Sequence, residues 1–211
     1  MEIIPSVNCP DISCVRERFE QIVSFGASWA HVDVSNGTFA PPVTWNNPHE
    51  LISNSKLNIE VHLMVQEPEK FVPDWVQAGA RRIILQVEMI DRERLYEILE
   101  MVHADCEVGL SVSLPTPIEE VFPYLEEIHF VQCLAVSPGL SGQKFQHDTL
   151  DKIRVLLRED VDVLVEIDGG VTPDVARLAY EAGARVAVSS SYIFTSSDPK
   201  LAYARLSAIG E

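Results

Sequence analysis

The feature that most constrains the fold of this 211-residue chain is a regular alternation of short apolar runs with longer segments of helical periodicity. Most of the apolar runs are rich in Val, Ile and Leu and show little polar alternation, which is typical of strands buried on both faces of a parallel sheet. Eight runs are predicted as strands: Ile3–Asn8, Ala30–Ser35, Ile59–Val65, Arg82–Glu88, Val108–Ser113, His129–Val136, Val163–Asp168 and Val186–Ser190.

The segments between these runs carry apolar residues at helical spacing with charged residues between them. Six are predicted as helices: Ile12–Phe25, Pro68–Ala78, Arg92–His103, Ile118–Glu127, Asp148–Arg158 and Pro173–Ala182. A seventh segment, Pro48–Ser55, is short and polar and gives only a weak helical signal.

A repeated helix-ending signal supports a fold built from strand–helix units. Gly26, Gly79 and Gly183 each stand at the end of a predicted helix, are followed by Ala, and shortly precede a predicted strand. Glycine ends a helix in a left-handed conformation at low steric cost. We therefore predict one domain over residues 1–211 folded as a (β/α)₈ TIM barrel. An open doubly wound sheet is the alternative, but no Gly-x-Gly-x-x-Gly follows the first strand.

The composition of the chain limits the classes of partner that it is expected to bind and the cellular compartment in which it is expected to work. The chain has 32 acidic and 16 basic residues, a formal charge of −16, so it is expected to bind neither nucleic acid nor an anionic membrane surface. No targeting segment and no run of 18 apolar residues is visible, which predicts a cytoplasmic protein. The four cysteines match no zinc or redox spacing and are predicted to be free buried thiols: Cys9, Cys14, Cys106 and Cys133. Apolar helix faces make a homo-oligomer the expected assembly.

Polar residues at the carboxyl ends of the predicted strands mark a metal site, because function in such barrels lies at that end. His31 and Asp33 are two apart on one strand and point to the same face. His62 and Asp168 stand at a similar depth on two other strands. Two imidazoles and two carboxylates suit one divalent zinc, iron, manganese or cobalt ion. Two carboxylates beside such an ion suit proton abstraction next to a carbonyl.

Small residues at the same end of the barrel predict a phosphate site. The three segments concerned are Ser137–Gln143, Asp168–Pro173 and Ser189–Ser191. Small residues let backbone N–H groups approach an anion, and the loops after strands seven and eight are the usual phosphate cradle of barrel enzymes. Such a site needs few basic residues and so agrees with the negative charge. No lysine falls in a predicted barrel strand and no Gly-x-Ser-x-Gly is present, which argues against a Schiff-base aldolase and a serine nucleophile.

At these residues the sequence resembles the ribulose-phosphate 3-epimerase family, over nearly the whole chain. The matching stretches, in family order, are Ile4-Pro5-Ser6, His31-Val32-Asp33-Val34 with Gly37 and Phe39, His62-Leu63-Met64-Val65, Pro138-Gly139 with Gly142-Gln143-Lys144-Phe145, and Glu166 to Val171. The resemblance implies a (β/α)₈ barrel that interconverts D-ribulose 5-phosphate and D-xylulose 5-phosphate by epimerisation at carbon 3, within the pentose phosphate pathway.

The resemblance also implies roles for individual residues. His31, Asp33, His62 and Asp168 match the family's metal ligands, and Asp33 and Asp168 match the acid/base pair that acts on opposite faces of a cis-enediolate. The residues implied in substrate binding are Ser6, His62, Gly139, Leu140, Ser141, Gly142, Asp168, Gly169, Gly170, Ser190 and Ser191.

The chain departs from the family pattern around this core. Ser35 and Asn36 replace Met and Asp, and Ser35 is expected to leave the pocket without one apolar wall. The other replacements are Gln86 for His, Leu134 for Met, Asn8 and Cys9 for Leu and Ser, and Ser141 and Ser190 for Gly. The replacements leave two alternatives open: an epimerase of another sugar phosphate, such as a hexulose 6-phosphate, or a non-catalytic sugar-phosphate-binding relative.

Overall fold

The computed structural model describes residues 1–51 and 56–210. Within these residues eight parallel strands form a closed barrel in sequence order, with the first strand paired to the last. The strands are β1 Glu2–Val7, β2 Trp29–Ser35, β3 Asn58–Met64, β4 Ala80–Gln86, β5 Glu107–Val112, β6 Phe130–Leu134, β7 Leu164–Asp168 and β8 Val186–Ser189. The predicted (β/α)₈ barrel is confirmed, and the open-sheet alternative is excluded because β1 and β8 share a ladder.

Helices cover the outside of the barrel. The α-helices within the described residues are α1 Ile12–Phe25, α2 Val72–Gln77, α3 Arg92–Met101, α4 Thr149–Glu159, α5 Pro173–Ala182, α6 Ser191–Phe194 and α7 Pro199–Ser207. The bounds of α1 and α5 are those predicted, because both ends carry strong local signals. Asp11 accepts hydrogen bonds from the first-turn amides of α1, and Gly26 ends that helix with φ of +85°.

Three predicted helices differ in form. Segment Ile118–Glu127 is a 3₁₀ helix over Ile118–Tyr124, because Pro123 inside it lacks a backbone donor. Segment Pro68–Ala78 is a 3₁₀ turn over Pro68–Lys70 followed by α2. The weak Pro48–Ser55 signal corresponds to a 3₁₀ turn over Pro48–Glu50, and its residues 52–55 lie outside the described residues.

The last two helices were not predicted, although one signal for them was present. Asp198 accepts a hydrogen bond from the amide of Leu201, and Pro199 occupies the first position of α7. An Asp followed by Pro is a recognised helix start. The eighth strand was predicted to end at Ser190, but β8 ends at Ser189, one residue earlier. Both helices follow Ser190 in the chain.

The prediction of four free thiols is wrong for one pair. Cys9 and Cys14 form a disulfide with a Cα–Cα distance of 5.7 Å. Cys9 follows β1 and Cys14 lies in the first turn of α1, so the chain reversal between them brings the two side chains together. Cys106 and Cys133 are free and buried, as predicted, and burial raises the pKa of their thiols to about 11 and about 12. Neither is a reactive thiolate near neutral pH.

The main apolar core lies between the barrel wall and the helices. Inside the barrel a small apolar cluster of Ile4, Val186 and Val188 is joined by an unusually polar set of fully buried side chains. These are His31, Glu60, His62, Gln86, Ser111, Gln132 and Glu166. Burying polar groups costs free energy unless they are paired, so a polar barrel interior of this kind indicates a functional site. No helix of the described residues is long and apolar enough to cross a membrane.

Candidate metal centre and cleft

The structure brings the four predicted metal ligands together at the carboxyl end of the barrel. His31 and Asp33 lie on β2, His62 on β3, and Asp168 ends β7, and one ligand atom from each lies within 4.8 Å of the others. Asp33 Oδ1 is central: it lies 3.3 Å from His31 Nε2 and 3.4 Å from His62 Nδ1. His62 Nδ1 lies 4.0 Å from Asp168 Oδ2. The parallel register aligns Asp33 with His62, which places both side chains at the same depth.

The donor set fits a divalent cation. His62 Nδ1 is buried and has no hydrogen-bond partner among the described residues, although it faces two carboxylates. A buried orphan nitrogen is costly in a protein interior, and a cation shared with the carboxylates would satisfy it. Two imidazole nitrogens and two carboxylate oxygens are the mixture that zinc, iron, manganese and cobalt accept.

The two carboxylates of the cluster have opposite pKa shifts. Burial and the negative charge of Asp33 raise the pKa of Asp168 to about 7. Burial alone would raise the pKa of Asp33 too, but the neighbouring His31 and His62 hold it well below its usual range. Burial likewise opposes a charge on His31, yet the carboxylates of Asp33 and Glu60 raise its pKa well above the usual value. One acid is therefore firmly ionised while the other can hold a proton near neutral pH.

Groups around the four ligands hold them in place. The Ser6 hydroxyl donates to Asp33 Oδ2 at 2.7 Å. Glu60 Oε1 lies 2.7 Å from His31 Nδ1, and the amide of Gln86 lies 2.6 Å from His62 Nε2. Sequence analysis did not assign a role to Glu60. A signal was available, because Glu60 is a charged residue in an apolar strand two positions before His62 and so points to the same side of that strand.

A cleft opens above the metal centre. Every residue predicted to bind substrate lines it except His62, which is fully buried within the ligand cluster. Those lining residues are Ser6, Gly139, Leu140, Ser141, Gly142, Asp168, Gly169, Gly170, Ser190 and Ser191, and Asp33 also reaches the cleft.

The loop after β6 is fixed by short contacts. The Gln143 side chain donates to the carbonyls of Ser137 and Leu140 at 2.6 and 2.7 Å, and Asn8 donates to the carbonyl of Gly139 at 3.2 Å. Gly139 has φ of +99°, and a Cβ there would collide with the carbonyl oxygen of Pro41. These contacts stabilise the conformation of the loop.

The structure shows where Ser35 lies, and the expectation that it leaves the pocket without one apolar wall stays a prediction. Its side chain is fully buried and donates to the carbonyl of Ala40, so it stabilises the loop after β2 and does not face the cleft. Asn36 accepts a hydrogen bond from the amide of Thr38 in the same loop. The cleft has an apolar lining from Met64 and Leu134, to which Ser35 adds no apolar surface.

The raised pKa of Asp168 predicts a pH-dependent stability for the metal-free protein. A carboxyl whose pKa is 3.8 when unfolded and about 7 when folded stabilises the fold fully below about pH 4, and this stabilisation is lost as the pH rises through about 7. The stability of the wild type relative to Asp168→Asn should therefore fall between pH 5 and pH 8. Urea unfolding midpoints of both proteins in chelator at four pH values measure this; a difference that is constant or rises with pH would contradict it.

Comparison with protein-family models matches residues 2–194 to the ribulose-phosphate 3 epimerase family. Among similar proteins, the cytoplasmic isoform of ribulose-phosphate 3-epimerase from Oryza sativa subsp. japonica is 32% identical, with 94% of this chain and 89% of that protein covered. The ribulose-phosphate 3-epimerase of Chlamydia muridarum is 35% identical, covering 91% of this chain and 87% of that protein.

Solved structures with the same fold include a 3-hexulose-6-phosphate synthase, with a TM-score of 0.73, 14% identity and complete coverage of both chains. A second is KGPDC from Streptococcus mutans in complex with D-R5P, with a TM-score of 0.72, 12% identity and coverage of 99% and 98%. At such low identity these structures support the barrel architecture alone.

Proposed function

As a member of the ribulose-phosphate 3-epimerase family, the chain is an isomerase that epimerises a pentulose phosphate, and we propose that it interconverts D-ribulose 5-phosphate and D-xylulose 5-phosphate at carbon 3 with one divalent metal ion. The observation that carries this proposal is the pair of carboxylates, Asp33 and Asp168, which meet at one metal-type centre with pKa values shifted in opposite directions. Acid/base pairs are recognised by such a separation.

Asp33 and Asp168 are the proposed acid/base pair. In the direction that begins with ionised Asp33, this carboxylate takes the proton from carbon 3, and protonated Asp168 returns a proton to the opposite face. The reverse direction exchanges the two roles. In the metal-free centre the pKa of Asp168 is about 7, so the carboxyl holds both protonation states near neutral pH there, and a bound cation would favour its ionised form. Ser6 holds the Asp33 carboxylate by donating to its second oxygen.

The proposed metal ligands are His31, Asp33, His62 and Asp168. When bound, the divalent ion supplies positive charge that stabilises the oxygens of a cis-enediolate. The apolar side chains of Met64 and Leu134 line the cleft beside this centre and exclude water from the reacting carbons.

The phosphate is proposed to bind between the loops after β6, β7 and β8. Gly139, Gly142, Gly169 and Gly170 carry no side chain and all have positive φ, which lets the backbone approach an anion closely. Ser190 donates to the carbonyl of Ser6 and so joins this region to the metal centre. The phosphate side is lined by backbone and hydroxyl groups rather than by lysine or arginine, in agreement with the negative charge of the chain.

Gly170→Ala tests this cradle. A Cβ at Gly170 would lie 2.5 Å from the backbone nitrogen of Phe145 and so would displace the loop after β6. We expect KM for ribulose 5-phosphate to rise about tenfold or more, a loss of about 1.4 kcal/mol in binding. Gly26→Ala is the control, because Gly26 has a similar φ of +85° but open space around it and lies away from the cleft. An equal rise in KM for both variants, or for ribulose without phosphate, would contradict the assignment.

Three further features are proposed. Residues 1–211 act as one catalytic barrel, and the protein works in the cytoplasm, supported by the cytoplasmic rice relative and by the absence of a membrane-spanning helix among the described residues. Self-association stays a prediction for light scattering to test.

The decisive experiment is metal analysis of the purified protein followed by incubation with ribulose 5-phosphate in D₂O. We expect about one divalent ion per chain, deuterium at carbon 3 and formation of xylulose 5-phosphate. Turnover of a hexulose 6-phosphate in place of the pentulose would identify the first alternative. Bound metal without exchange on any ketose phosphate would identify a non-catalytic binding protein and refute the proposal.

A further inference from the structure

The two histidines of the metal centre turn different ring nitrogens towards it. His31 presents Nε2 to Asp33, and His62 presents Nδ1 to the same oxygen. The opposite nitrogen of each ring meets a fully buried side chain, Glu60 for His31 and Gln86 for His62. Only the unprotonated ring nitrogen of a neutral histidine can bind a cation. The hydrogen-bond partner of the opposite nitrogen determines which of the two carries the proton.

We propose that Glu60 and Gln86 are positioning residues of the metal centre: each accepts the N–H of one histidine and so leaves the lone pair that faces Asp33 free for a divalent cation. The inference rests on the proposed function and adds to it two residues that do not touch the metal or the substrate.

The case for Glu60 follows from its chemistry. An ionised carboxylate only accepts hydrogen bonds, so at 2.7 Å from His31 Nδ1 it requires a proton on that nitrogen. The other oxygen of Glu60 lies 3.4 Å from the guanidinium of Arg82, which balances its charge. Arg82 is held in turn by Glu107 at 2.7 Å and by the ring of Trp29, whose centroid is 4.2 Å away. The Glu60 carboxylate, itself held by Arg82, therefore contacts His31 on the side opposite the metal centre. It fixes both the position of the imidazole proton and the orientation of the ring.

The case for Gln86 rests on the two orientations of an amide. In the structure, Gln86 Nε2 lies 2.6 Å from His62 Nε2. If this amide nitrogen donates, the His62 proton lies on Nδ1, and that nitrogen has no lone pair for a cation. The exchanged orientation fits the same space, because amide oxygen and nitrogen are nearly identical in size. The hydroxyl of Ser113, 3.4 Å from Gln86 Oε1, donates or accepts and so tolerates both orientations. With the oxygen towards His62, its unpartnered Nδ1 becomes a cation ligand.

Glu166 provides a matched control for Glu60. It is equally buried in the barrel interior, belongs to the same group as His31 and Glu60, and accepts a hydrogen bond from Gln132 at 2.8 Å. It makes no hydrogen bond to a metal-centre histidine among the contacts of the described residues. Glu→Gln at either position has the same shape, but only the change at Glu60 weakens the partner of His31.

The first experiment measures Co²⁺ binding by competition with a chelator and records the visible absorption spectrum of the bound ion. Outer-shell partners of ligating histidines typically contribute 10–100-fold to metal affinity. We expect Glu60→Gln to weaken Co²⁺ binding about 10–100-fold and to change the spectrum, while Glu166→Gln stays within about threefold of wild type. Unchanged affinity and spectrum in Glu60→Gln, or an equal loss in Glu166→Gln, would overturn the role of Glu60.

The second experiment compares Gln86→Leu with Gln86→Glu and remains informative if Glu60→Gln fails to fold. A leucine removes the acceptor, so Co²⁺ affinity should fall about 10–100-fold. A glutamate can only accept when ionised, so it should keep affinity within about threefold of wild type. Equal losses in both variants would mean that an acceptor at this position does not support metal binding and would overturn the role of Gln86.

The two experiments separate the positioning role from the proposed function. Wild-type protein that binds neither Co²⁺ nor Zn²⁺ would remove the metal centre, and with it both proposals. Wild-type protein that binds metal and epimerises ribulose 5-phosphate, with all four variants binding equally well, would overturn the positioning role alone.

Discussion

Asp168→Asn should abolish net epimerisation while leaving the barrel folded. Asparagine keeps the shape of the side chain and one oxygen that can face a cation, but it cannot exchange a proton with the substrate. General acid–base catalysis by one residue contributes about 10²–10⁴-fold, so the rate should fall by at least that factor. Epimerisation requires removal of a proton on one face and its return on the other, so Asp33→Asn should have a comparable effect.

The informative measurement for these variants is isotope exchange. A protein that retains one acid can still remove and return the proton on one face, and so can introduce deuterium at carbon 3 without inverting it. Asp174→Asn is the control, because Asp174 is an exposed carboxylate in the first turn of α5, close in sequence but outside the cleft. Near-normal formation of xylulose 5-phosphate by Asp168→Asn would refute the two-acid mechanism.

His62→Ala should nearly eliminate metal binding without unfolding the protein. The substitution removes the buried nitrogen that faces Asp33 and Asp168 and has no other partner. Loss of an outer-shell partner already costs about 10–100-fold in affinity, so loss of a direct ligand should exceed about 10²-fold. Metal content after dialysis and chelator competition measure this effect, and activity should fall with the metal content.

His49→Ala is the matched control for this loss. His49 also lies beside a carboxylate, with Nε2 3.4 Å from Asp74 Oδ1, but its side chain is 56% exposed and remote from the cleft. It should bind the full complement of metal. If His62→Ala retained wild-type affinity, the ligand set of the centre would have to be reassigned, even if the fold and the epimerase activity remained.

The barrel was predictable because its signals are local. The eight apolar runs identify strands buried on both faces, and Gly26 and Gly183 identify helix ends through a backbone conformation that other residues rarely adopt. The clustering of the site residues is also predictable from the strands, because the carboxyl ends of parallel strands meet at one end of a barrel. The sequence could thus indicate that His31, Asp33, His62 and Asp168 share one mouth.

Other features depend on contacts between residues far apart in the chain or on how a short turn closes. The Cys9–Cys14 disulfide requires the chain reversal before α1, and the burial of Ser35 under the carbonyl of Ala40 requires the fold of the loop after β2. Neither spacing nor composition contains that information. Four free thiols were therefore predicted, and the structure corrects this prediction for Cys9 and Cys14.

By itself, the sequence determined the barrel, the end of it that carries chemistry and the residue types gathered there, because periodicity and strand direction follow from local backbone geometry. Only the tertiary structure decided which nitrogen of each histidine faces the centre, that Glu60 and Gln86 hold the opposite nitrogens, and that the pKa values of Asp33 and Asp168 move apart. These properties depend on burial and on distances of a few ångströms between side chains from different strands, and such distances are fixed only when the barrel closes.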